Sequence, residues 1–139
     1  MIWKQDPSLE FINRFQKNSL ASHIGINFIE IGTDFLVASM PVDERTKQPI
    51  GLLHGGASAA MIESLGGIAG WLCLDDPQTW SVVGIEINAN HLRSTKEGTV
   101  IGTVRPVKVG RRMQVWTVDI TQKDRLICTG RLTNMVIEK

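Results

Sequence analysis

The chain lacks a surplus of charge of either sign: fifteen Lys and Arg stand against fourteen Asp and Glu, a formal net charge of +1. No dense basic run changes that balance, which argues against an electrostatic nucleic-acid binder. Cysteine is scarce. Cys73 and Cys128 are far apart and in no metal or redox spacing, so free buried thiols in a reducing compartment are expected. No repeat, low-complexity tract or linker divides the 139 residues, a length that suits one domain, 1–139, around one core. The N-terminal MIWKQDPSLE has no apolar h-region and no cleavage pattern, so the expected location is cytoplasmic. His23, His54 and His91, taken with Glu63, include no pair at ligand spacing such as HExxH. Ser58 and Ser64 have no nucleophile-elbow context. No metal and no cofactor are expected.

What the chain does have is one long apolar stretch, LLHGGASAAMIESLGGIAGWLCL, from Leu52 to Leu74. It is long enough to be considered as a membrane span, which needs roughly 20 apolar residues. Five glycines, the central Glu63, Asp75-Asp76 at one end and the absence of flanking Lys/Arg asymmetry argue instead for a buried central helix, from about Gly56 to Leu72. Glu63 is the only acidic or basic residue in the stretch besides His54. A helix that is apolar all round belongs inside a protein, and an ionised carboxylate there is costly unless paired, hydrogen-bonded or neutralised. No Lys or Arg lies within a helical turn of it. Either a distant part of the fold satisfies Glu63 or the chain keeps it for chemistry.

Around this helix the pattern is mostly β. Asp6-Pro7 reads as an N-cap and first helical position, leading a short amphipathic helix through Leu9, Ile12 and Phe15 with Phe11 beside them. Ile26–Ile31 and Phe35–Met40 read as strands joined by a Gly32-Thr33-Asp34 turn, and Pro41–Ile50 as a loop. Beyond Asp75-Asp76-Pro77, four β-rich segments follow: Ser81–Asn90, Thr99–Val107, Met113–Thr121 and Leu126–Ile137. Their turns are Lys96-Glu97-Gly98, Gly110-Arg111-Arg112 and Lys123-Asp124-Arg125. The expected fold class is α+β, an antiparallel sheet wrapped around one long helix.

Residues three and four positions from Glu63 are Ala59, Ala60, Gly66 and Gly67, with Gly56 and Gly70 one turn further out. Mid-helix glycine costs roughly 1 kcal/mol against alanine, so something compensates for Gly66, Gly67 and Gly70. Two explanations stand: close packing against a strand or helix, or a smooth floor for a ligand with Glu63 as its only reactive group. His54-Gly55-Gly56 precedes the helix, where unpaired N–H groups and partial positive charge can hold the oxyanion formed when a carbonyl is attacked. His54 can equally be a loop histidine that caps the helix. Glu63 lies about 12 Å along the helix by rise alone, a gap bridged by a long substrate or by a site shared between subunits. Arg93, Lys108, Arg111 and Arg112 sit near strand ends and turns, as solvated charges or as partners for a phosphate-bearing ligand.

The segment PIGLLHGGASAAMIESLGGIAG, with Gln48 just before it, resembles the signature of hotdog-fold acyl-CoA thioesterases. MIWK, MPVDERTKQP, VVGIEINANHLRS and QVWTVDI extend the resemblance over essentially the whole chain. It is nearest to the 4-hydroxybenzoyl-CoA thioesterase-like branch, and within it to the 1,4-dihydroxy-2-naphthoyl-CoA thioesterases of menaquinone synthesis and the proofreading thioesterases of enterobactin synthesis. The resemblance implies a hotdog fold, sheets joined into homodimers with active sites at the dimer interface, and dimers paired into a homotetramer. It implies hydrolysis of small aromatic acyl-CoA esters, with no nucleic-acid or membrane partner. Glu63 would activate water or attack the thioester itself. The Gly55 N–H would polarise the carbonyl, and His54 and Gln48 would orient the reacting groups. Glu63 and Gly55 would come from opposite subunits. His91, Arg93, Ser94 and the Lys108–Arg112 turn, with Lys108, Arg111 and Arg112, correspond to the region that holds the CoA nucleotide. Val82, Val83 and Gly84 would line the acyl side.

One position departs from the pattern. Many such enzymes carry Ser or Thr one turn after the catalytic glutamate, and here that residue is Gly67. The expectation is slower turnover of the same reaction, with an ordered water filling the space. The alternative is a non-catalytic acyl-CoA-binding or sensor protein on the same fold.

Overall fold

A computed structural model describes residues 1–139. Two short helices, α1 (Leu9–Phe15) and α2 (Leu20–His23), precede strands β1 (Asn27–Ile31) and β2 (Leu36–Pro41). The central helix α3 (Gly55–Leu72) follows, then β3 (Trp80–His91), β4 (Thr99–Val109), β5 (Met113–Gln122) and β6 (Arg125–Glu138). The strands form one antiparallel sheet in the order β1-β2-β4-β5-β6-β3. This is the sheet-around-a-helix arrangement that the sequence pattern implied.

The helix is held by alternation in the sheet. Val100 and Val104 on β4, Trp116, Val118 and Ile120 on β5 and Leu132 on β6 are fully buried against Met61, Ile62, Leu65, Ala69 and Leu72 of α3. The chain start straps the far end of α3. The Lys4 and Gln5 N–H groups both donate to the Leu72 carbonyl, at 2.8 and 3.1 Å, satisfying an acceptor that a helix C-terminus leaves open. The Trp3 indole donates to the Gly32 carbonyl at 2.8 Å and stacks on Trp116. Both cysteines are free and buried, and burial pushes the Cys73 thiol up to about 11. No helix is long and apolar enough to cross a membrane.

Three details differ from the sequence reading. Helix α1 is capped by Ser8, whose hydroxyl accepts from the Phe11 N–H at 3.0 Å, so Asp6-Pro7 lies before the helix. The four-residue α2 carries no apolar periodicity long enough to read. The β5–β6 hairpin turns on two residues, Lys123 and Asp124, with φ of 48° and 62°, so Arg125 already belongs to β6.

β3 is an edge of the sheet. It bonds β6 on one side only, and Val83, Ile85 and Ile87 along it are 40%, 50% and 39% exposed. A twelve-residue edge strand that exposes apolar side chains is a template for pairing with another chain.

Candidate active site

Helix α3 passes two clefts. The first, about 350 Å³, opens at its N-terminal end and is lined by Gln48, Gly55, Ser58, His91, Arg93 and Ser94, among others. His54 is the helix N-cap. Its Nδ1 accepts from the Gly56 N–H at 2.7 Å, which leaves the Gly55 N–H, one residue nearer the helix start, outside that bond. The imidazole of His91 packs so closely over Gly55 that a Cβ there would stand 2.8 Å from Nε2. Gln48 is fixed by its own Oε1, which accepts from the Ile50 N–H at 2.6 Å and keeps the Nε2 end available to donate. Arg93 is tied to β6 by a 2.9 Å bond from Nη1 to the Leu126 carbonyl. The cleft thus combines a helix-start N–H, an oriented amide and a guanidinium, a set suited to a carbonyl oxygen and an anionic group.

The second cleft, about 450 Å³, lies further along α3 and is lined by Glu63, Gly67, Trp71, Val82 and the Phe15–Ala21 corner, among others. Glu63 is reached by solvent on the protomer, contrary to the expectation of a buried residue, because this face of α3 is bare. No hydrogen bond or opposite charge acts on it, and partial burial alone pushes its carboxyl above the usual carboxylate range. Its carboxylate lies against the backbone of Gly84 on β3, and Val82 of the same strand lines the cleft beside Glu63. Val83 alternates away between them and lines neither cleft. Lys108, Arg111 and Arg112, at the end of β4 and in the turn after it, are exposed and outside both clefts. Ser64 lines the second cleft, but its hydroxyl donates to the Ala60 carbonyl at 2.8 Å.

The glycine strip has a split explanation. A Cβ on Gly66 would press on Leu132, and one on Gly70 would strike the Gln114 and Asn134 amides, which bond the Gly70 and Gly66 carbonyls at 3.2 and 2.9 Å. Those two glycines permit packing. A Cβ on Gly67 would meet nothing within 4 Å and would project into the second cleft, so only this glycine is a floor.

Sequence reasoning missed Phe15, Gln16 and Trp71. Phe15 fitted a buried helix face, yet it is 60% exposed and stacks on Phe11 and Trp71 at 5.9 and 6.0 Å between ring centroids. Its distance in sequence from Glu63 hid the association.

The thioesterase superfamily profile matches residues 50–129, which hold both Gly55 and Glu63. The chain is 49% identical over 138 residues to the 1,4-dihydroxy-2-naphthoyl-CoA hydrolase of Escherichia coli, covering 99% of this chain and 100% of that one. It is 46% identical to the proofreading thioesterase EntH of Cronobacter turicensis over 99% of both chains. The crystal structure of a Gln-to-Ala mutant of thioesterase PA1618 from Pseudomonas aeruginosa superposes with a TM-score of 0.97 at 44% identity, covering 100% of both chains. The chain belongs to the thioesterase superfamily, with its hotdog fold and its thioester-hydrolysing chemistry.

Proposed function

We propose that this protein hydrolyses small aromatic acyl-CoA esters to the free acid and CoA, in the cytoplasm, at sites shared between two protomers. The observation that carries the proposal is the separation of the two half-sites: Gln48, Gly55 and His91 line one cleft of the protomer and Glu63 another. Pairing of β3 with its twofold copy, at the apolar edge described above, joins the half-sites into complete ones; two such dimers form the tetramer.

Gly55 N–H holds the thioester oxygen, and Gln48 orients the thioester. His91, Arg93 and Ser94 hold the CoA end, with Lys108, Arg111 and Arg112 meeting its phosphates. His54 acts indirectly, by fixing the helix start. Glu63 of the partner subunit reaches the carbonyl carbon, through a water that it deprotonates or by direct attack. Either route starts from the ionised carboxylate. The C–S bond breaks, a hydroxyl from water ends on the acyl carbon, and the water's other proton ends on the CoA thiolate. A raised carboxyl pKa makes Glu63 a stronger base when ionised. The acyl group occupies the second cleft, whose Phe15–Trp71 wall suits a flat ring. A relative that bears the name 1,4-dihydroxy-2-naphthoyl-CoA hydrolase supports an aryl substrate.

Thiol release from benzoyl-, 4-hydroxybenzoyl-, 1,4-dihydroxy-2-naphthoyl-, acetyl- and palmitoyl-CoA tests the reading. Release fastest from the aryl esters is expected. Preference for acetyl- or palmitoyl-CoA overturns the substrate class, and tight binding without release overturns the catalytic reading in favour of a sensor.

A further inference from the structure

Gln16 ends α1 as its C-cap and lines the second cleft. It is only 8% exposed, and its Nε2 has no hydrogen-bond partner. Its main chain is pinned. The N–H donates to the Ile12 carbonyl at 3.2 Å, and its own carbonyl accepts from the Ser19 hydroxyl at 2.6 Å. A buried amide left unpaired is costly, and native structures keep such groups where something else completes them. The surrounding wall is apolar and aromatic: Phe15, Leu20, Ile68 and Trp71. The cleft runs from Glu63 past Gly67 to Trp71, two helical turns or about 12 Å, long enough for a bicyclic arene on the acyl carbon.

We infer that Gln16 is the specificity-determining residue of the acyl end, recognising a hydroxyl on the aromatic ring. This rests on the assignment of the second cleft to the acyl group. A ring hydroxyl both donates and accepts, so it meets either end of the amide. An unsubstituted ring leaves the amide unpaired and is discriminated against for that reason. Phe15 and Trp71 hold the ring plane, and Gln16 selects for what the ring carries.

The test compares wild type with Gln16→Met, which keeps the length of the side chain and removes its hydrogen bonds, and with Gln16→Glu, which keeps an acceptor. Substrates are matched pairs: benzoyl-CoA against its 2-, 3- and 4-hydroxy forms, and 2-naphthoyl-CoA against its 1- and 4-hydroxy forms. In wild type, at least one hydroxy form has a higher kcat/KM than its parent. In Gln16→Met that ratio falls about tenfold, the scale of one buried hydrogen bond, with the change in KM rather than kcat. Gln16→Glu restores part of the preference. An unchanged ratio in Gln16→Met, or no hydroxyl preference in wild type, overturns the role of Gln16 while leaving aryl-CoA hydrolysis intact. Turnover by wild type of alkanoyl-CoA only overturns the aryl reading itself. Should Gln16→Met not fold, the ratio is read from Gln16→Leu by the same criteria.

Discussion

The carboxyl group of Glu63 rests on the main chain of Gly84: a Cβ on residue 84 would stand 3.0 Å from the Glu63 Cδ. The absence of a side chain on β3 therefore sets where the carboxylate sits. Gly84→Ala pushes on the free end of a flexible side chain, so the fold is expected to survive while the reacting group moves. A shift of about 1 Å can cost on the order of 10²-fold in rate. Steady-state kinetics should show kcat reduced by about that factor with Tm little changed. Unchanged kcat would show that Gly84 does not position the carboxylate.

The three glycines of the α3 strip should respond to alanine with different signs. Gly67→Ala meets open space and is expected to stabilise by about 0.5–1 kcal/mol, the helix-propensity gain. Gly66→Ala presses on Leu132, and Gly70→Ala displaces the Gln114 amide that also accepts from the Trp116 indole. Each is expected to destabilise by about 1–3 kcal/mol. Urea denaturation of the three variants checks the order, and a Gly67→Ala as unstable as the other two would mean that this face is packed rather than open.

Gly67→Ser tests the missing hydroxyl. The space exists, and Gly67 stands one turn from Glu63 on the same cleft. A hydroxyl there can hold the water or the carboxylate, so kcat is expected to rise about three- to tenfold, the worth of one hydrogen bond. Equal or lower kcat would mean that the missing hydroxyl does not limit turnover.

Glu63 also makes a prediction in pH. Burial raises its carboxyl, and the ionised form is the reactive one, so the acid limb of kcat/KM should fall above the ordinary carboxylate value of 4.5. For stability the sign is the opposite of a salt-bridged acid. The folded state holds the Glu63 proton more tightly than the unfolded state, so this group's contribution declines as pH rises through the raised pKa. Glu63→Gln should therefore lack turnover yet be as stable as wild type or slightly more so at pH 7, with the difference gone at acid pH. Thermal denaturation at both pH values checks this; a variant destabilised at pH 7 would mean that the carboxylate has a structural partner.

Much of this was legible in the sequence. The long apolar run of α3, the alternation in β4–β6 and the turn glycines each have a local cause, so the sheet around a helix followed from pattern. Glu63 and Gly55 stood out because an apolar helix with one carboxylate and a glycine-rich start is chemically conspicuous, whereas Gln48 stood out only through the family resemblance. The cap of α1 was misplaced because Asp6-Pro7 and Ser8 offer competing local signals, and the Ser8 hydroxyl takes the Phe11 N–H. Gln16 was invisible because its burial depends on α1 docking beside α3, a tertiary contact that leaves no periodic trace. The glycine strip was ambiguous for a similar reason: Gly66 and Gly67 are adjacent in sequence, and only Leu132 on β6 tells them apart.

A site shared between protomers is tested most directly by thiol release from Glu63→Ala and Gln48→Ala, each alone and co-refolded in equal amounts. Glu63→Ala alone should be inactive and Gln48→Ala strongly impaired. Half of the dimers in the mixture are mixed, and each holds one site with both residues intact, so the mixture should recover roughly a quarter of the wild-type rate. A mixture no faster than the mean of the two variants would contradict a shared site, and wild-type turnover by Glu63→Ala would contradict Glu63 as the reacting group.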